Sequence, residues 1–377
     1  MTVNSPRTLL LVGSFPPQDS SVRGGVRTAC KLLLESEFLR AFNVSFVDST
    51  QDTTLPTGFV RRIPRAFRRI CKLTRFLKSP PDYAIIFHVD SFSFLEKSIF
   101  ATILQCLGTK ACLFPRTNRI IDQCKKYPLL NLYSRVVFNY VEHVFVQGHN
   151  FSAFLIDDLR VKRTRTTVIP NWTASSYLLS QGHTKLLEIK RKERNSKRDK
   201  YEICYIGWLE KNKSVDTILE AISTFDLKAQ DIHLHIIGTG SLEKALLDYV
   251  ESLHISAAVT FHGSLAPEKV YPILRNSNAL ILPSLQEGCP NCVIESMCLG
   301  TPVISTKVGV LPDYFTHNAS ILYFDKKSSI NLVENIQMLY DSEDLEISIA
   351  NEAYAIVAKE FTIKSASTKF SRILTNY

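Results

Sequence analysis

Two carboxylates, Glu287 and Glu295, stand eight positions apart in the stretch EGCPNCVIE, with Gly288, Pro290 and the pair Cys289 and Cys292 between them. Two chemistries compete for it. Cysteines spaced C-x-x-C suit a metal or a redox disulfide, whereas each glutamate can accept a pair of hydroxyl hydrogen bonds from a polyhydroxylated ligand. The metal reading lacks ligands, because no second cysteine pair or neighbouring histidine completes a tetrahedral set. The thiols then read as small apolar fillers. Gly288 lets the backbone approach a ligand closely. A helix begins near Pro290, so the amides of Cys289, Asn291 and Cys292 are donors suited to anionic or hydroxyl-rich groups.

The flanking pattern says what holds these groups. ALILPS reads as a strand that ends just before the Glu287 loop, and Gly300 and Pro302 stop the helix that carries Glu295. From residue 201 onward, short β-branched runs such as YEICYIGW, IHLHIIGTG and TPVIST alternate with amphipathic segments such as SVDTILEAISTF and SLEKALLDYVESL, with Ser241 the expected N-cap of the latter. The first half repeats the plan with TLLLVGSF, NVSFVDS, YAIIFHV, KACLFP, HVFVQG and TTVIPN as strands. The expected class is α/β: two tandem Rossmann-like, doubly wound domains facing a cleft. The expected boundaries are residues 1–175, a basic linker over 176–200, and a second domain over 201–359. A last helix, from about residue 360 to 377, is expected to pack back on the first domain. Ligands of such sheets bind beyond the carboxyl ends of the strands, so strand-end motifs are the candidate site.

Length agrees, since 377 residues fit two domains of roughly 150–200 each. Nine scattered cysteines, with no leader legible in the short run TLLLVGSF before its Pro-Pro, imply reduced thiols in a cytoplasmic protein. No apolar run reaches the roughly 18 residues of a spanning helix. The net charge of +9 is uneven: residues 61–78, RRIPRAFRRICKLTRFLK, hold eight cations and no acid, with apolar residues at helical spacing. An anionic membrane surface, a packed surface helix and a nucleic-acid face are the three readings of that segment. The membrane is the expected partner, at about 1 kcal/mol per cation, and nucleic acid is not.

With its flanks, EGCPNCVIE resembles the Glu-x7-Glu signature of retaining glycosyltransferases of family 4, glycosyl transferases group 1, which have the GT-B fold. SMCLGTPVISTKVGVLPDYF, CYIGWLEKNKSVDTILEAI, LHIIGTGSLEKAL and VTFHGSL resemble the neighbouring elements. At the front, VGSFPPQDSSVRGGVRTACKLL is similar to the family's N-terminal glycine loop. The resemblance spans essentially the whole chain, closely over 201–325 and loosely over 40–165.

The resemblance implies transfer of a sugar from a UDP-, GDP- or similar nucleotide sugar with retained configuration, and neither a metal nor a cofactor. Lys213 would hold the diphosphate, and Gly24 and Gly25 would bring amides to it. Glu287 would hold the sugar hydroxyls, Glu295 the ribose hydroxyls, and His88, at a strand end, would lie near the sugar. Arg116 and Arg119 also follow a strand and are candidates for an anionic group. The family's usual Gly-Arg-Leu is here GWL, so Trp208 replaces a cation. Either Arg23 or Arg116 supplies that charge, or the donor is held differently, with Trp208 stacking on a ligand ring. The expected acceptor is a glycan or lipid-linked glycan of the cell surface, reached by a cytoplasmic or peripheral membrane protein. The alternative is a non-catalytic nucleotide-sugar or glycan-binding protein on the same fold.

Overall fold

The computed structural model describes residues 6–15, 25–49, 76, 78–89, 91–191, 200–225 and 231–375. Arg23, Gly24 and nearly all of the basic stretch 61–78 lie outside them. The chain forms two compact units, Met1–Thr173 with Ile363–Tyr377, and Ala174–Thr362.

The first unit holds a sheet of six parallel strands: β1 (Arg7–Gly13), β2 (Phe42–Asp48), β3 (Tyr83–His88), β4 (Lys110–Pro115), β5 (His143–Val146) and β6 (Thr166–Val168), in the order β2-β1-β3-β4-β5-β6. Its central strands are mostly apolar, with polar residues at their ends, because helices cover both faces; β3 and β5 are buried at every position. The helix Ile363–Leu374 belongs to this unit. Its Phe370 ring lies 5.0 Å from Phe145 and 5.6 Å from Trp172, whose indole donates to the Ala29 carbonyl at 2.8 Å.

The second unit holds β7 (Tyr201–Ile206), β8 (Ile232–Ile237), β9 (Val259–Phe261), β10 (Ala279–Leu282), β11 (Val303–Thr306) and β12 (Leu322–Phe324). These are parallel in the order β12-β11-β10-β7-β8-β9. The chain builds outward from β7 to β9, then returns to the other side of β7 and builds outward again from β10. The direction reverses between β7 and β10, and this is where such a sheet opens a ligand crevice. The expected strands are all present, most of them trimmed by one to three residues at the carboxyl end, where the chain turns into a loop. The helix Asn291–Cys298 buries Val293, Ile294, Met297 and Cys298, the spacing of a single face, and stops before Gly300 at φ +70°.

Two local expectations change. Residues 176–191 are not a linker but the helix Ser176–Arg191 in the second unit, with Leu178 and Leu186 buried. Its polar composition hid an apolar stripe, and Gly182 hid a close crossing: a Cβ there would lie 1.9 Å from the Cys298 carbonyl oxygen. Ser241 does not cap the helix Glu243–Ser252, because its hydroxyl donates to Glu210 at 2.7 Å instead.

The crossing makes a signed prediction. In an exposed helix or linker, Gly→Ala is neutral or stabilising by up to about 1 kcal/mol. Here Gly182→Ala must push two helices apart, so the melting temperature of the purified protein falls by several degrees, on the order of 1–3 kcal/mol. An unchanged or raised melting temperature is the linker's result.

Candidate active site

The loop after β7 is fixed on two sides. Leu209 donates its amide to the Thr239 carbonyl at 3.0 Å, and Glu210 accepts both the amide and the hydroxyl of Ser241, at 3.1 and 2.7 Å. The chain then makes a turn over Lys211–Lys213, and Ser214, at φ +46°, reverses it into the helix Asp216–Ser223. Across the reversal point, the loop after β10 joins this turn directly: the Leu285 amide donates to the Asn212 carbonyl at 2.8 Å. Lys213 and Glu287 therefore project from loops tied backbone to backbone, and they meet. The Lys213 ammonium donates to Glu287 Oε1 at 2.5 Å, with both side chains about five-sixths buried. A third loop, after β11, supports them. The Val310 amide donates to the Gly288 carbonyl at 2.9 Å, and a Cβ on Gly309, whose φ is +58°, would lie 2.0 Å from that same oxygen. Gly309 lies three residues beyond the end of β11, inside the stretch SMCLGTPVISTKVGVLPDYF, which resembles the family's pattern.

Glu295, one turn into the helix behind Glu287, is half-buried. Its carboxylate has no hydrogen bond or ion pair among the described residues, and removal from water pushes it up to about 7. Cys292 is pushed up to about 12, first by burial and next by the Glu287 carboxylate, so it stays a thiol. Cys289 and Cys292 form no disulfide and pack against the unit's core, and no cluster of three or more metal-ligating side chains exists among the described residues. Pro290 holds the N-cap position of the helix Asn291–Cys298, so positive helix-end dipole follows Gly288 directly. Trp208 is exposed at 47%, its carbonyl accepting from the Tyr205 hydroxyl at 2.9 Å. The structure thus brings Lys213, Glu287, Gly288 and the Glu295 helix to one strand-end region of the second unit.

The first unit's candidates collect at the ends of its own strands. His88 closes β3 and is 1% exposed against Phe94, at 5.0 Å between rings. Burial first, then Lys97, lowers it to about 3, so the imidazole is neutral. Its Nε2 has no hydrogen-bond partner among the described residues. Arg116, just past β4, is buried. Its guanidinium lies over Phe114 at 4.8 Å and Trp172 at 4.9 Å and donates to Asn171 Oδ1, which also accepts from Gln147 at 2.6 Å. That commits Arg116 to an internal network within its own unit. Gln147 and Asn171 were missed, although each follows a strand, which is the signal that could have found them. Arg119 is exposed at the start of the helix Arg119–Lys126, and Gly25 opens the helix Gly25–Leu34.

Residues 188–356 match the family model described as glycosyl transferases group 1. This stretch is a group 1 glycosyl transferase domain. An uncharacterized glycosyltransferase of Methanocaldococcus jannaschii is 26% identical over 247 residues, 63% of this chain and 58% of that one. The chain spans about half the length of the curated relatives it matches. Among solved structures, Anabaena HepE in complex with UDP is similar at a TM-score of 0.68 and 14% identity, over 98% of this chain and 100% of that one. Sucrose-phosphate synthase of Thermosynechococcus elongatus is similar at 0.73 and 14%, over 98% of both. At such identities the likeness is one of fold, and the fold is the GT-B pair of Rossmann-like domains expected from the sequence.

The raised carboxyl of Glu295 has a measurable consequence. A carboxyl that titrates higher in the fold than in the unfolded chain binds extra protons between about pH 4.5 and 7, so its charge costs stability as pH rises through that window. Glu295→Gln removes the cost. The variant melts higher than wild type near pH 8, by up to about 3 kcal/mol, and the difference vanishes near pH 4.5. Equal melting at both pH values contradicts the assignment.

Proposed function

We propose that the protein is a retaining, metal-independent glycosyltransferase that moves a sugar from a nucleotide-diphosphate sugar to a hydroxyl of a cell-surface glycan or glycolipid. One observation carries the reading: Lys213 and Glu287, from loops on either side of the sheet's reversal point, meet at 2.5 Å. A cation for the diphosphate and a carboxylate for the sugar are the two charges this transfer needs side by side. The family match over this unit, and the UDP held by the structurally similar HepE, support a nucleotide donor.

In this reading Lys213 and the amides at the start of the helix Asn291–Cys298 face the donor diphosphate. The bond from the sugar's anomeric carbon to the diphosphate oxygen breaks. Negative charge grows on that oxygen, and preset positive groups stabilise it, each by about 3–4 kcal/mol. The acceptor hydroxyl attacks the same face and gives its proton to the departing diphosphate, so no protein nucleophile is used. Glu287 orients the sugar hydroxyls. Glu295 accepts from the ribose, which explains why a carboxylate is kept half-buried without a partner of its own. Trp208 offers a stacking surface where the family carries a cation. His88 is proposed as a sugar contact and Gly24 and Gly25 as phosphate contacts, with Arg23 and Arg119 as cations for an anionic group. An acceptor at the cytoplasmic membrane surface, reached by way of residues 61–78, completes the proposal. No helix among the described residues is long and apolar enough to cross a membrane.

The test is release of nucleoside diphosphate from a panel of nucleotide sugars, with membrane extract as acceptor. Lys213→Ala and Glu287→Ala each lower turnover at least about 100-fold. Near-normal turnover in either variant removes that residue's role. No release from any donor by the wild type leaves the binding-protein alternative as the better one.

A further inference from the structure

The helix Pro128–Tyr140 of the first unit buries Val137 and Phe138 and turns Leu129, Leu132, Val136 and Tyr140 outward along one stripe. These are not grazing exposures: Leu129 is 83% exposed, Leu132 60% and Val136 62%. The neighbouring helix Ser91–Cys106 turns out Leu95 and Ile99 in the same way. The two helices lie side by side, since Ser98 Oγ meets the Tyr133 hydroxyl at 2.7 Å and Cys106 Sγ meets the Tyr140 hydroxyl at 3.1 Å. The two stripes therefore form one apolar face. Single exposed apolar residues are ordinary, but a contiguous face of them marks an interaction surface.

Charge decides what fits it. Arg135 sits exposed within the stripe's own helix, and Lys125 and Lys126 stand exposed just before it. The helix Pro128–Tyr140 has no acid, and the one acid of the helix Ser91–Cys106, Glu96, is buried. Asp122 is the one exposed acid of the intervening helix. A second copy docking on this face through a two-fold interface would set Arg135, Lys125 and Lys126 close to their own equivalents with almost no acid to pair them. The basic segment 61–78 meets the same objection. An anionic bilayer meets neither: aliphatic side chains enter the acyl boundary, tyrosines sit at the headgroup level, and cations above them face lipid phosphates.

We propose that this two-helix face is a membrane-docking surface for anionic lipid, seated in the plane of the bilayer and built from residues other than the basic stretch 61–78. It does not depend on the transferase reading, because it is measured without any sugar. The full chain is sedimented with phosphatidylcholine vesicles with and without phosphatidylglycerol, alongside Leu132→Glu/Val136→Glu and the milder Leu129→Asn/Leu132→Asn. All substituted side chains are exposed, so melting temperatures stay near wild type and verify folding. The expected result is wild-type binding to the anionic vesicles only, lowered at least about tenfold by the glutamate pair and less by the asparagine pair. Wild-type binding by both variants overturns the proposal, as does no binding by the wild type. A dimer by light scattering that the glutamate pair converts to monomer, with vesicle binding unchanged, overturns it in favour of a second copy.

Discussion

A lysine and a glutamate on separate loops do not hold a 2.5 Å contact unless their backbones are fixed, and the second unit is arranged around that constraint. The sheet's reversal places the ends of β7 and β10 next to each other. A single peptide hydrogen bond, from Leu285 to Asn212, then ties the two loops together, and the Gly309 turn holds the second loop from behind. Each charge is mostly out of water, so each needs a partner of opposite character, and here each has the other. A ligand that replaces the pair must therefore bring both an anion for Lys213 and hydroxyl donors for Glu287. A nucleotide-diphosphate sugar carries both, and inorganic phosphate or a free sugar carries one.

Glu295 shows the same logic without a partner. Its helix is fixed by Val293, Ile294, Met297 and Cys298 in the core, which holds the carboxyl partly out of water, and it stays partly protonated near neutral pH. In the first unit, the strand-end groups have gone the other way. Arg116 and Gln147 both donate to Asn171 Oδ1 inside an aromatic shell, and His88 is held neutral. Internal order there sets the strand ends rigidly, and a neutral imidazole beside them can donate or accept one hydrogen bond without bringing charge.

Much of this was legible in the residues. Parallel strands buried on both faces write themselves as apolar runs, so β1 to β11 could be read to within a few residues, and Lys213, Glu287 and Glu295 stood out as lying just past such runs. What was not legible depends on contacts between segments distant in sequence. The helix Ser176–Arg191 looks like a linker because its stripe of leucines is diluted by lysines and a glycine; only its crossing with the helix Asn291–Cys298 explains Gly182. Ser241 has the right type for a cap, yet the nearer charge of Glu210 wins its hydroxyl. Arg116 follows a strand as an anion-binding arginine would, but Phe87 and Trp172 from elsewhere in the first unit join its own strand's Phe114 around it.

The central claim is that Lys213 exchanges Glu287 for a diphosphate. Calorimetric titration tests it most directly, with whichever of UDP, GDP, ADP or dTDP raises the melting temperature most. Lys213→Ala should weaken binding by at least about tenfold, the value of one charge-assisted contact, while Glu287→Gln, which releases the lysine, should bind the bare nucleotide as tightly as wild type or more so. Equal affinity in the wild type and Lys213→Ala would contradict the account.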